Sequence, residues 1–386
     1  MKPTILVLGG GIGGVTAARE LRQSFGNEDG INLARILVFE RDRESLYSPS
    51  LTWMMVGKRT NEQVHHNLDE IAFNGVEIIY GDIQAIDPAS KTVTSAGKSY
   101  HGDYMIISLG AEKSAQQALD QAGHNFYTSK GASKFYEELK EFKGGNVAIT
   151  VSSLPHTSPV APYEAALLVD DYTREIGVRE ATSITLYTPE TAPMPFASEE
   201  VSNHVLALMK ESNIAYRPQH KLKALDSDHL TFTTPTELEV SAPFDLLAFT
   251  PEHRCPEMLK SAGLTDDAGW VEVDLARLKT PYEDVYAIGD IISYGSDSKE
   301  SVPRAGVFAQ TQARVVAHNI ARLHSGKEPD MSFEPAGAYI LDQGDKGSKV
   351  TGNFESHETS HSTAGRLRHW EKVLAEKSWH LKNFQS

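Results

Sequence analysis

The chain has 386 residues, with 52 acidic against 37 basic side chains and a formal net charge of −15 at pH 7. That length allows two or three cores and the burial of a cofactor, and the acidic balance disfavours nucleic acid as a partner. Its one cysteine, Cys255, excludes an internal disulfide, a redox cysteine pair and a thiolate metal cluster within the chain.

The first element is a strand, turn and helix in "TILVLGGGIGGVTAARELR", with Gly9, Gly11 and Gly14 in G-x-G-x-x-G spacing and the helix starting near Ile12 and Gly13. Gly9 permits the tight turn, Gly11 a close approach of backbone to a pyrophosphate, and Gly14 close packing of helix on strand. The helix start then offers free N–H groups and a positive dipole end to a phosphate. The next apolar strand, "ARILVFER", ends in Glu40, placed to accept from a ribose and followed by Arg41. Glu40 lies somewhat beyond the usual ~20 residues, and the polar insertion "GNEDG" accounts for the excess. The spacing predicts dinucleotide binding; the plainer alternative is a tight turn with no ligand.

Further on, "DYMIISLGA" (103–111) and "DVYAIGDI" (284–291) are apolar strands ending in Gly110 and in the pair Gly289–Asp290. Between them "NVAITVSSLPHTSPVAPYEAALL" repeats the strand-loop-helix order without a glycine. Two prolines fix φ and a leucine adds bulk at Leu154 to Pro159, so the backbone cannot come close to a pyrophosphate there. Cys255 reads as a small apolar core residue. The polar stretch "GDKGSKVTGNFESHETSHSTAG" (344–365) is the nearest thing to a flexible segment, and His357, His361 and His369 around it read as solvated side chains, with no metal site. Last, "RLRHWEKVLAEKSWHLKNF" (366–384) puts Leu367, Trp370, Val373, Leu374, Leu381 and Phe384 near one face of an amphipathic helix. Such a helix suits either a headgroup boundary or packing on a core or dimer partner. No stretch approaches the ~20 apolar residues needed to cross a bilayer. The expected location is cytoplasmic, with peripheral contact at the inner face of the cell membrane through 366–384 as one option.

The two glycine-ended strands, with Gly9, Gly11, Gly14 and Glu40, resemble the two-dinucleotide-fold flavoproteins, which implies FAD as the cofactor. In that family Asp290 would meet the ribityl and phosphate region; alone it reads as a turn aspartate capping the next helix. "APYEAALL", "YSPSLTWMMVGKR" (47–59), "VPRAGVFAQTQARVVAHNIA" (302–321) and "RHWEKVLAEK" further resemble the sulfide:quinone oxidoreductases, nearly end to end. The resemblance implies an α/β fold of two Rossmann-like domains and a C-terminal module. Residues 1–112 and 280–330 would form the FAD domain, 113–279 the second domain, and 331–386 the quinone-side or interface module. It adds Ile12, Gly13, Arg41, Pro49, Ile83, Gly110 and Gly306 to the FAD-binding residues. Pro303 to Gly306 would face the flavin's pyrimidine ring, and Tyr163, Glu164, Tyr339 and Ile340 its redox face. Glu164 is the candidate for proton handling; otherwise it is a first-turn acid favourable to the helix.

The departure from that family is sulfur. Its members that oxidise sulfide use two cysteines beside the flavin, where this chain has Ser153, Thr157 and Ser158, and "GAYILDQG" (337–344). Exchange chemistry needs a thiolate. The expected function is therefore an FAD oxidoreductase passing two electrons from a small donor to a quinone without cysteine-based sulfide chemistry. A type II NADH:quinone dehydrogenase and a non-catalytic FAD-binding subunit or scaffold are the alternatives. The donor, an accessory electron-transfer partner and homo-oligomer formation are left open.

Overall fold

The computed structural model describes residues 2–28, 31–71, 75–294 and 302–384. Part of the insertion "GNEDG", residues 29 and 30, therefore lies outside the described residues. In chain order, β1 (Thr4–Leu8) runs into α1 (Ile12–Phe25) and is followed by β2 (Arg35–Glu40), β3 (Val76–Tyr80) and β4 (Tyr104–Ile107). Next come β5 (His124–Asn125), β6 (Gly145–Val151), α2 (Ala161–Glu175), β7 (Thr182–Tyr187), α3 (Glu199–Glu211), β8 (Ile214–Arg217) and β9 (Leu246–Thr250). Then follow β10 (Val285–Ala287), α4 (Gly306–His324), β11 (Ala336–Asp342), β12 (Gly347–Asn353), β13 (Glu358–His361) and α5 (Arg366–Asn383).

Two parallel sheets result, each of five strands, in the orders β10-β4-β1-β2-β3 and β5-β9-β6-β7-β8. Both central strands are apolar runs buried on their two faces, the pattern parallel sheets impose because crossovers cover both sides. In each sheet the chain reverses direction of travel beside its first long strand, and the gap between the crossovers at the strands' C-terminal ends is where α/β sheets take ligands. A strand from far along the chain, β10, completes the first sheet beside β4. The following helix, α4, packs against α1 where small residues meet: a Cβ added at Gly13 would lie 3.4 Å from that of Ala309.

The C-terminal segment corrects two expectations. Residues 344–365 are not a flexible stretch, because β12 and β13 form an antiparallel sheet with β11 from them. Few residues there are apolar, yet Val350 and Phe354 are fully buried and Phe354 joins Phe196, Phe308 and Tyr339 in an aromatic cluster. Alternate anchors on one side of a strand suffice where the other side is wet. The second correction concerns α5, which buries Val373 and Trp379 together with Glu376 and Asn383. Phe384, just beyond it, is also buried, whereas Leu367, Trp370, Leu374 and Leu381 are 68, 53, 61 and 64 % exposed. The single predicted stripe is thus two faces, and the inner one is held by polar contacts: Glu376 receives Arg59 and Ser50, while Arg19 donates to Asn383 at 3.0 Å.

The histidines of this region are also not simply solvated. The His369 ring nitrogen Nδ1 lies 2.7 Å from Asp342, and the His361 ring stacks on His204 with centroids 3.8 Å apart.

Candidate functional site

A cavity of about 970 Å³ opens between the C-terminal ends of the two sheets, within the size range of small-molecule sites. One wall is the first crossover. Gly9, at φ +106°, would put a Cβ 2.3 Å from the Ser108 carbonyl oxygen, and one on Gly14 would fall 1.8 Å from the carbonyl oxygen of Gly9. A Cβ on Gly11 would meet nothing within 4 Å, because that position faces the cavity. The start of α1 has no capping side chain and no acid in its first turn, leaving its N–H groups for a ligand's negative charge.

Glu40 ends β2 at the far side of this wall. One carboxylate oxygen accepts from the Gly10 N–H at 2.6 Å and the other from the Arg41 N–H at 2.8 Å, which fixes the group against the glycine loop. Along the remaining walls lie Arg41, Asp42, Ile83, Ser108, Gly110 and, at the opposite end, Gly289, Asp290 and Gly306. Burial pushes the Asp290 carboxyl up to about 6 against the opposing pull of Arg304 and Lys113. The helix α4 also begins without a capping side chain or first-turn acid, so a second positive helix end adjoins the cavity at Gly306. An extended molecule with an adenosine end, a diphosphate and a flat polar ring fits this arrangement of acid, glycine loop and second helix end. The residues present therefore fit FAD.

Most of the predicted cofactor residues converge on the cavity: Gly9, Gly11, Ile12, Gly13, Glu40, Arg41, Ile83, Gly110, Asp290 and Gly306 line it. Gly14 does not, being consumed by the packing of α1 on the loop. Pro49 does not line it either, although Ser48 and Leu51 on either side of it in sequence do. None of Tyr163, Glu164 and Tyr339 lines the cavity. Glu164 is closest in connectivity, because Thr52 lines it and donates to Glu164 at 3.0 Å. The Glu164 side chain is buried and also receives Lys372 from α5. Burial raises its carboxyl to about 7, with Lys372 pulling the other way. Lys372 in turn sits 4.4 Å over the Trp53 ring, whose other neighbour, Arg59, is 4.3 Å from the centroid. Tyr163 turns into the second sheet's core and donates to Glu190. Tyr339 is buried in the aromatic cluster, where desolvation raises its phenol well above the usual value.

Of the second wall, formed by Lys113, Tyr127, Thr128, Thr157, Ser158, Pro256 and Met258, only Thr157 and Ser158 were placed beside the flavin, through the resemblance, and sequence reasoning missed the rest. Apart from Lys113, which follows β4 of the first sheet, these come from loops after several strands of the second sheet, and no spacing ties them together. Here the second crossover is closed off by neighbouring segments of the chain. Ser158 donates its N–H to the Arg304 carbonyl at 2.7 Å, the Tyr127 hydroxyl donates to the Ser158 carbonyl at 3.1 Å, and His156 and Thr157 are buried inside the bend. Cys255, next to the lining residue Pro256, is half-buried, and burial pushes its thiol up to about 12.

A sequence profile of the pyridine nucleotide-disulphide oxidoreductases matches residues 3–313. The mitochondrial sulfide:quinone oxidoreductase of Mus musculus is 28% identical over 304 residues, 74% of this chain and 65% of that protein, just under two thirds of its length. The sulfide-quinone reductase of Aquifex aeolicus (strain VF5) is 24% identical over 335 residues, 83% of this chain and 76% of that protein. In three dimensions the chain resembles the Aquifex aeolicus sulfide:quinone oxidoreductase with a TM-score of 0.88 at 22% identity, over 97% of this chain and 90% of that one. NDH2 from Plasmodium falciparum superposes with a TM-score of 0.74 at 11% identity, over 99% and 96%.

Proposed function

The chain belongs to the pyridine nucleotide-disulphide oxidoreductase family, and on that footing we propose that it passes two electrons from a small donor, by way of FAD, to a quinone. It is an FAD-dependent oxidoreductase; the quinone is taken from the names of its relatives. Residues 1–112 with 280–330 would hold the cofactor, 113–279 would form the facing unit and 331–386 the quinone-side module. FAD supplies reversible two-electron transfer when bound. Gly9 to Gly13 and Glu40 would hold its diphosphate and ribose, and Asp290 and the start of α4 its ring end.

One observation carries the quinone reading. Thr52, Glu164 and Lys372 form a hydrogen-bonded chain from the cavity wall into α5, and the same helix shows Leu367, Trp370 and Leu374 to solvent on its other side. Reducing a quinone needs protons as well as electrons, and a carboxyl poised near 7 beside a lysine can hold and release one. The apolar outer face, with Arg366, Arg368 and Lys377 among its neighbours in the helix, suits the headgroup boundary where a quinone is met. Among the described residues no helix is long and apolar enough to cross a membrane.

The donor is a small molecule other than a nicotinamide nucleotide. The bend that would have to admit one is filled by His156 and Thr157, and Glu190, the acid after β7, faces inward to Tyr163. Sulfide by thiol exchange is also disfavoured, because Cys255 is single and its thiol stays protonated.

The deciding experiment is rapid mixing of the chemically reduced protein with a soluble quinone analogue. Glu164→Gln should keep FAD and its spectrum but slow reoxidation roughly 10²-fold, the usual scale of a lost acid–base group. Reoxidation at the wild-type rate would refute the role. Trp370→Ser with Leu374→Ser should leave melting unchanged and abolish flotation with anionic phospholipid vesicles; flotation undiminished would remove the membrane face from the account.

A further inference from the structure

The second crossover contains a charged pair that the electron path above does not use. Glu190 is buried; one of its oxygens accepts from Tyr163 and, at 3.0 Å, from the Thr188 hydroxyl. Its other oxygen faces Nε2 of His156 at 3.9 Å, too far for a hydrogen bond. That nitrogen is fully enclosed and has no hydrogen-bond partner. The other ring nitrogen, Nδ1, lies 3.2 Å from the carbonyl oxygen of Thr157, a residue of the cavity wall.

The carbonyl decides the tautomer, since it can only accept, so Nδ1 carries the hydrogen. In the neutral ring Nε2 is then a bare lone pair aimed at a carboxylate, buried and unpartnered. A proton on Nε2 turns that opposition into an N–H donor facing its acceptor, and a movement of about 1 Å closes the gap to a charge-assisted hydrogen bond. The groups packed around the pair do not compete for that proton. Tyr163 on α2 and Tyr216 on β8 are held protonated by burial, and burial pushes His253 down to about 3. Lys113 and Arg304 are the cations on the cavity side; Asp290, across the cavity and raised to about 6 by burial, is an acid able to take a proton of its own, and a break due to it would stay unmoved in variants of the pair.

We propose that His156 and Glu190 form a buried proton-binding pair behind the flavin wall, which takes up one proton when the cavity gains negative charge on reduction. The balance is simple. Two electrons from the donor and one proton from solvent leave a net negative charge in the cavity, and a second solvent proton is bound at Nε2 of His156, giving two electrons and two protons in all. Oxidation returns both. His156 acts here as a positioning group for charge and not as a catalytic residue, since Thr157 stands between it and the cavity. The inference rests on FAD lying against Thr157.

The test is the midpoint potential of the bound flavin, read from absorbance during anaerobic dithionite titration between pH 5.5 and 8.5. In the wild-type protein the potential should fall twice as steeply with pH below a break as above it, two protons per two electrons giving way to one. His156→Asn keeps a donor near the Thr157 carbonyl but cannot take the proton, so the break should vanish and leave the shallower slope throughout. Glu190→Gln keeps the contacts to Tyr163 and Thr188 and should move the break at least one pH unit lower, and it decides alone if the asparagine variant does not retain FAD. A structural role only would shift the potential equally at every pH. A wild-type slope without a break, or a break unmoved in a variant that holds FAD, overturns the proposal. Wild-type protein that binds no FAD would instead sink the cavity assignment.

Discussion

The two crossovers of this molecule are built to one topology and used in opposite ways. In the first, the residues after the strand give up their side chains, so that helix N–H groups are laid bare and the acid at the end of the neighbouring strand, Glu40, is tied to the loop by backbone hydrogen bonds at the cavity. In the second, Leu154 and Pro155 stay exposed while His156 and Thr157 keep their side chains and fold them inward, and the corresponding acid, Glu190, is sealed against Tyr163 and Thr188. The strand-loop-helix arrangement therefore specifies a place for a ligand, and the presence or absence of β-carbons determines whether a ligand or the protein itself fills it.

The comparison can be broken most forcefully at Gly14. Gly14→Val puts a Cβ into the Gly9 carbonyl, where only backbone can yield, and should cost on the order of 3 kcal/mol with loss of bound FAD; a thermal melt and the flavin-to-protein absorbance ratio check both. Normal flavin content in a well-folded variant would contradict the packing argument. Next in size is the contrast between the two acids. Glu190→Ala leaves a buried tyrosine hydroxyl unpaired and should destabilise the protein by about 2 kcal/mol while FAD binding holds. Glu40→Ala should do the reverse, lowering FAD affinity about tenfold for roughly 1.4 kcal/mol of lost contact with little change in melting. Equal loss of FAD by both would erase the distinction.

The smallest effect lies in pH. In the cofactor-free protein Asp290, raised to about 6 by burial, contributes stability that is present below its unfolded value near 4 and lost as pH rises through 6. His253, depressed to about 3, contributes stability present above 6.5 and lost as pH falls through 3. The two units thus lean in opposite directions, each by about 1.4 kcal/mol per pH unit between the folded and unfolded values of its group. Asp290→Asn should flatten the first slope alone and His253→Gln the second, in urea unfolding of apoprotein at pH 4 to 8; a variant that altered both would show that the units do not titrate independently.

Legibility in the sequence followed locality. The first wall was readable because its parts are close in sequence and each has a geometric reason to be what it is: Gly9 for a left-handed turn, Gly14 for contact, Glu40 for the end of β2. Gly306 and Asp290 were reached through a resemblance, because a late strand joining an early sheet leaves no periodic mark. Tyr127, Thr128 and Met258 were invisible, since they share only the C-terminal edge of the second sheet. Tyr163 and Tyr339 were assigned through the resemblance, and side-chain direction, which a matching motif does not give, turns both away from the cavity. In α5 the polarity rule itself failed: Glu376 and Asn383 face inward on specific partners and leucines face out.

The late arrival of β10 and α4 has a consequence for biogenesis. A ribosome that has finished the amino-terminal sheet's first four strands still has the whole of the second sheet to synthesise before the strand leading into Asp290 and the helix that braces α1 emerge. Nascent chains must wait with the glycine loop formed on an open sheet edge, and a message truncated before that point yields a protein able to fold locally but with no place to load its cofactor.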